Sequence, residues 1–154
     1  MSKRILITGG SGFIGTNLIA SLLEKEATIL NLSLDESANP DHESFWRKCD
    51  LLNRAGLIDQ FRLFQPEIVI HLAARTECDE TTTVEEGYRA NTDGTRHLLD
   101  AVAEAGSVER LIITSSQFIC GPDHFPSHDE DFAPATVYGE SKVITEKLVR
   151  ETNP

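Results

Sequence analysis

Positive charge is scarce in this chain of 154 residues: 14 Lys and Arg stand against 25 Asp and Glu, a net charge of −11. So acidic a chain is the opposite of a phosphate-backbone binder, and nucleic acid is not an expected partner. Cysteine is scarce too. Cys49, Cys78 and Cys120 form an odd set with wide gaps, which indicates neither a disulfide framework nor a zinc clip, so they are read as reduced thiols. No apolar run approaches the ~20 residues of a membrane span, and the opening MSKRIL is too short an apolar stretch for a signal peptide. The expectation is a cytoplasmic protein with no membrane partner. Repeats and low-complexity tracts are also missing. His124 and His128 lie four apart among acids, but Pro122 and Pro126 oppose a helix that would align them, so the segment is read as a solvated loop and no metal is expected. What is present, 40% hydrophobic residues, suits one domain over residues 1–154 that buries roughly two thirds of its unfolded surface.

Strands and helices alternate along that domain. Arg4 to Thr8 is a short β-branched and leucine run closed by Gly9-Gly10, as in a strand buried on both faces. Apolar residues from Phe13 to Leu23 recur at helical spacing, and Thr28 to Leu32 reads as the second strand. Ser33 to Pro40 reads as a polar loop, Phe45 to Cys49 as a short strand, Arg54 to Phe64 as a helix and Glu67 to His71 as a strand. Val84 to Ala105 places Val84, Tyr88, Asn91, Thr95, Leu98, Leu99 and Val102 on one face, predicting one long helix ended by Gly106. Arg110 to Ser115 is a further strand, 117–135 is rich in loop, and Val137 to Arg150 is a helix with Val143, Ile144 and Leu148 inward. The order predicts an α/β fold with a doubly wound parallel sheet of the Rossmann type.

Between the first strand and first helix stands TGGSGFIG, which satisfies GxGxxG through Gly10, Gly12 and Gly15, and GxxGxxG through Gly9, Gly12 and Gly15. A turn without Cβ atoms lets backbone N–H groups and the positive end of the helix meet a pyrophosphate. The second strand should then present an acid to an adenosine ribose about 20 residues further on. Ser33 occupies that place and Asp35 follows two later. Asp35 suits a free ribose, whereas Ser33 tolerates a 2′-phosphate with Arg47 or Lys48 as cationic partners, so NAD is expected with NADP left open. Asp50-Leu51 is placed either to cap an adenine edge or, through Asp50, to serve as a helix N-cap or turn residue.

Tyr138 and Lys142 lie one turn apart at the start of the last helix, and an ammonium beside a phenol favours the phenolate, a usable base. Ser115-Ser116 ends a strand, and ligands bind outside the carboxyl ends of strands in open α/β sheets.

With TGGSGFIG, DL, HLAAR, NTDGT, SSQFICG and YGESK in this order over the whole chain, the sequence resembles the extended short-chain dehydrogenase/reductases, also called NAD-dependent epimerase/dehydratases. The resemblance implies a nucleotide-sugar substrate and hydride transfer at a sugar carbon, by an epimerase or reductase. It implies that Gly9, Gly12, Phe13, Ile14 and Gly15 line the pyrophosphate, Asp50 and Leu51 the adenine, and Leu72, Ala73, Ala74 and Arg75 the cofactor's phosphates and ribose. It makes Ser116 the hydroxyl that holds the reacting oxygen, Tyr138 the acid/base and Lys142 the residue on the nicotinamide ribose. Asn91 matches the family's helix asparagine, grouped with the cofactor site and read equally as a buried tie or as catalytic. A homodimer through the two long helices is a further implication.

Three departures qualify the resemblance. Ile119-Cys120-Gly121 replaces the family's Val-Tyr-Gly, and Gln117-Phe118 stands where sugar 4,6-dehydratases carry an acid pair, which disfavours dehydration. The chain stops at Pro154, before the expected C-terminal substrate domain, so poor or no turnover by these residues alone is expected. A noncatalytic dinucleotide-binding regulator and an inactive truncated fragment stand as the alternatives.

Overall fold

The computed structural model describes residues 2–152. Five strands, β1 (Arg4–Thr8), β2 (Thr28–Ser33), β3 (Trp46–Lys48), β4 (Ile68–His71) and β5 (Arg110–Ile113), form one parallel sheet in the order β3-β2-β1-β4-β5. This is the doubly wound arrangement expected from the alternation of elements, with the order reversing beside β1. Register places Thr8 level with both Leu32 and His71, and His71 level with Ile113, so the carboxyl ends of four strands share one rim.

Alternation along the strands feeds two cores. Leu6, Leu30, Leu32 and Val69 meet Leu57, Ile58 and Phe61 of α2 (Arg54–Phe64) and Leu98 and Ala101 of α4 (Arg89–Ala105). Ile5, Ile7 and Ile29 face the other way, onto Ile19, Leu18 and Leu22 of α1 (Phe13–Leu23). The helix ends follow from local chemistry. Asn53 Oδ1 accepts the Gly56 N–H at the start of α2, and Gly106, at φ +64°, closes α4 in the left-handed conformation.

Several segments differ from expectation: β5 stops at Ile113, two residues short of Ser115, so Ser115 and Ser116 lie beyond the strand, and Ser33 ends β2 rather than opening the loop after it. The long helix over Val84–Ala105 is two: a short α3 (Val84–Gly87) and α4, separated by Tyr88 at φ −120°, ψ 25°. Leaving the helix there lets the Tyr88 ring bury fully while its hydroxyl donates to the Glu77 carbonyl at 2.5 Å and accepts from Asp79 N–H at 2.9 Å. The Phe45–Cys49 strand contracts to Trp46–Lys48, because Pro40–Phe45 winds into a 3₁₀ turn whose first N–H groups are met by Asn39. Within 117–135 there is a 3₁₀ turn at Gln117–Ile119 and a bridge from Cys120 to Ala133. The last helix, α5 (Val137–Thr152), runs two residues further than expected and turns Ser141, Lys142 and Thr145 inward with Val143, while Leu148 is only half-buried.

Candidate active site

The glycine loop crosses the rim between β1 and α1. Gly9 sits at φ +71°, and a Cβ there would lie 2.6 Å from Ala73 N; one on Gly15 would lie 2.4 Å from the Gly10 Cα. Side chains at these two positions would force the loop away from the β4 exit and from its own helix. Gly12 begins α1 with no side-chain cap and no acid in the first turn, so the helix's leading N–H groups face outward without an internal anion. Phe13 and Ile14 in that turn are exposed. The cradle fits a pyrophosphate in shape and in polarity.

Ser33 lies beneath this loop rather than on its outer side. It is buried, donates to Asn31 Oδ1 at 2.8 Å and accepts the Ser11 N–H at 3.2 Å, while Asn31 Nδ2 donates to Ser11 Oγ at 3.1 Å. Its hydroxyl therefore holds the glycine loop, and Asp35 and Glu36, just beyond β2, are both exposed. Asp50 Oδ1 accepts the Leu52 N–H at 2.9 Å, the turn geometry that was one of its two readings. The side chain of Leu51 packs in the core against Gly94.

Beyond β4, Leu72, Ala73 and Ala74 run half-buried along the glycine loop, with Ala73 N–H 3.5 Å from Thr8 Oγ1. Arg75 turns away from that segment. Its guanidinium lies 5.0 Å from the centre of the Tyr88 ring and bonds Asp79 at 3.0 Å, Glu77 at 3.2 Å and the Gly87 carbonyl at 3.0 Å. Asp79, bonded by Thr81 and by Arg75, is held below the usual carboxylate range, and Arg75 is held above its own by Asp79 and Glu77. Asn91 is enclosed: Oδ1 accepts Arg75 N–H at 2.8 Å, and Nδ2 donates to the Arg75 carbonyl at 3.0 Å and to Ser141 Oγ at 2.9 Å. Both amide donors are taken by the protein, so its buried-tie reading accounts for the side chain.

At the other side of the rim, Tyr138 and Lys142 of α5 are buried and one turn apart. The Tyr138 ring meets Phe118 edge-on at 5.8 Å and Tyr88 at 6.2 Å, and its hydroxyl has no hydrogen-bond partner among the described residues. Lys142 Nζ donates to the Thr114 carbonyl at 2.7 Å. Burial pulls its pKa down and Glu146 opposes the fall. Ser116, half-buried, accepts the Phe118 N–H at 3.2 Å. A buried ammonium, an unpartnered phenol and a hydroxyl carried past the end of a strand can together hold and move a proton at a carbonyl or alcohol oxygen.

A buried residue with no assigned part joins the two halves of the rim. His71 accepts at Nδ1 from Thr8 Oγ1 (2.6 Å) and donates from Nε2 to Thr95 Oγ1 (3.1 Å), which donates in turn to the Asn91 carbonyl (2.6 Å). The last bond sets the direction: Thr95 gives its proton away, so it must receive one from Nε2. Burial, and then the charge of Lys142, push the His71 pKa down to about 4. The signal available in sequence was HLAAR itself, whose histidine falls opposite Thr8 once β1 and β4 are paired. Three-ligand groups of His, Cys, Asp or Glu suited to a metal are absent among the described residues, and no described helix is long and apolar enough to cross a membrane.

Comparison with known proteins places this geometry. The sequence pattern of the NAD dependent epimerase/dehydratase family matches residues 5–154. The chain is 31% identical to a 3-beta-hydroxysteroid dehydrogenase of Mycolicibacterium neoaurum, over 97% of this chain and 43% of that protein. It is also 31% identical to a UDP-glucose 4-epimerase of Erwinia amylovora, over 96% and 48%. The UDP-glucose 4-epimerase of Brucella ovis, solved in complex with NAD, superposes with a TM-score of 0.82 at 26% identity, over 97% of this chain and 47% of that one. The UDP-Glc/GlcNAc 4-epimerase of Campylobacter jejuni gives 0.85 at 25%, over 98% and 49%. The chain thus spans somewhat under half the length of these relatives. With the family pattern running from β1 to the end of the chain, this protein belongs to the NAD-dependent epimerase/dehydratase family.

Proposed function

We propose that this chain is the cofactor-binding, proton-transferring part of an NAD-dependent nucleotide-sugar epimerase or reductase. The observation that carries the proposal is the shared rim: an uncapped glycine cradle at one end, and at the other a buried Lys142 with an unpartnered Tyr138 hydroxyl one turn away. The nicotinamide of the bound cofactor would accept or return a hydride at a sugar carbon. Gly9, Gly12 and Gly15 would hold its pyrophosphate, with Phe13 and Ile14 over it. Leu72, Ala73 and Ala74 would flank the phosphates and ribose, and Asp50, in the turn after β3, would border the adenine, with Leu51 packed in the core behind it. Asp35, an exposed acid two residues beyond β2, favours a free ribose and therefore NAD over NADP.

Tyr138 would take the proton of the reacting hydroxyl and return it, Ser116 would hold that oxygen, and the Lys142 ammonium would favour proton loss from the phenol. Relatives that are UDP-glucose 4-epimerases support a nucleotide sugar as substrate. A homodimer through α4 and α5 belongs to the same proposal, and light scattering tests it.

The first test is a fluorescence titration of the chain with NADH and NADPH, with Trp46 and the nicotinamide as reporters. Saturable binding, tighter for NADH, is expected; binding of neither by folded protein rejects the proposal. In single-turnover cofactor reduction by UDP-glucose, Tyr138→Phe is expected to slow any observed step by on the order of 10²-fold while NADH affinity holds.

A further inference from the structure

We propose that Glu146 is a positioning residue of this site: with Lys142 one turn before it, it makes a two-point clamp fixing the chain that carries Ser116 to the helix that carries Tyr138. The proposal rests on the reading of Ser116, Tyr138 and Lys142 given above. Lys142 Nζ donates to the carbonyl of Thr114, and Ser115 Oγ donates to Glu146 Oε1, so neighbouring residues just past β5 are held by side chains four apart on α5. On the sheet side the same stretch is tied by Thr114, whose N–H and Oγ1 both donate to the His71 carbonyl, at 3.1 and 3.2 Å. Ser116 follows the clamped pair directly.

Glu146 is an acid with a side chain only 14% exposed, and Arg150 holds its second oxygen at 3.4 Å. Each of its carboxylate oxygens thus has a partner, Ser115 on one and Arg150 on the other. Its charge also acts on Lys142. Buried, neutral His71 from β4 and Glu146 from its own helix face that ammonium; burial disfavours its charged form and Glu146 favours it.

Two arms of one experiment separate clamp from charge. Lys142 is titrated by NMR of its side-chain amine in the unaltered chain, in Glu146→Gln and in Glu146→Asp, with Lys142→Arg to assign the signal. Amide hydrogen exchange is followed at Thr114, whose N–H is held by the His71 carbonyl, and at Phe118, whose N–H is held by Ser116 Oγ, with Ile5 to Ile7 of β1 as the internal standard. Glu146→Gln is expected to move the Lys142 midpoint down, and Glu146→Asp, which keeps the charge but shortens the reach, to leave it close to that of the unaltered chain. Ser115→Ala, Glu146→Gln and Glu146→Asp are each expected to speed exchange at Thr114 and Phe118 by about tenfold with β1 unchanged. An unmoved midpoint in Glu146→Gln, or exchange that rises equally throughout the chain, overturns the proposal. Neither readout depends on turnover, so a failed clamp and a failed Tyr138→Phe result remain distinct.

Discussion

Acidification should weaken this protein through His71 in a way that one substitution can isolate. The ring is 4% exposed, accepts from Thr8 and donates to Thr95, and its pKa is pushed from the ordinary 6.5 to about 4 by burial and then by Lys142. The unfolded chain takes up a proton at this residue as pH falls through 6.5, whereas the native chain waits until about 4. Between those values the unfolded state binds more protons, so stability is full above the window and falls as pH drops through it, by up to ~1.4 kcal/mol per pH unit. The loss from this one group reaches about 2 kcal/mol at pH 5 and about 3 kcal/mol below pH 4. Urea unfolding at pH 7.5 and at pH 5.0 measures it. His71→Asn, whose side-chain oxygen still accepts from Thr8, is expected to start less stable but to lose about 2 kcal/mol less over the same interval. Parallel losses in the two proteins would show that the ring is not held neutral by its surroundings, and the argument would fail.

Four further outcomes test the site and the core. Gly9→Ala must place a Cβ 2.6 Å from Ala73 N at φ +71° and is expected to weaken NADH binding more than about tenfold, read in the titration above. Phe61→Ala, at a fully buried ring between α2 and the sheet, should cost about 3–5 kcal/mol in urea unfolding. Asn53→Ala removes the cap of α2 and should cost about 1 kcal/mol; no measurable loss would mean that the Gly56 N–H is satisfied another way. Arg75→Met keeps the stem over Tyr88 but drops the bonds to Glu77, Asp79 and Gly87, and should speed limited proteolysis within 76–83 without changing cleavage elsewhere.

Where a sequence signal was local, it matched the structure closely. The runs at Arg4–Thr8, Phe13–Leu23 and Arg54–Phe64 become elements with those bounds, because strand alternation and helical spacing both point to faces that are in fact covered. The failure at Tyr88 is of another kind. Val84, Tyr88 and Asn91 do share a buried side, so periodicity holds through the break, but the turn is opened by groups distant in sequence, the Glu77 carbonyl and the Asp79 N–H. Site residues divide the same way. Motif order singles out Gly9, Tyr138 and Lys142 as candidates, yet the burial of Ser33 beneath the glycine loop depends on Asn31 and Ser11 together, and the turning of Arg75 depends on Tyr88. Glu146 carries no local signal, since its meaning comes from Ser115, 31 residues before it.

The loop held by Arg75 bears on how a ligand could use it. Each residue of a free loop gives up about 1–2 kcal/mol of backbone entropy when fixed in one conformation. Residues 76–83 are fixed during folding instead, by Tyr88 from below, by Asp79 receiving Thr81 and Arg75, and by Thr83 capping α3. A molecule that rests against this segment meets a surface already shaped, so contact there adds to affinity without an ordering penalty and calls for little motion on arrival.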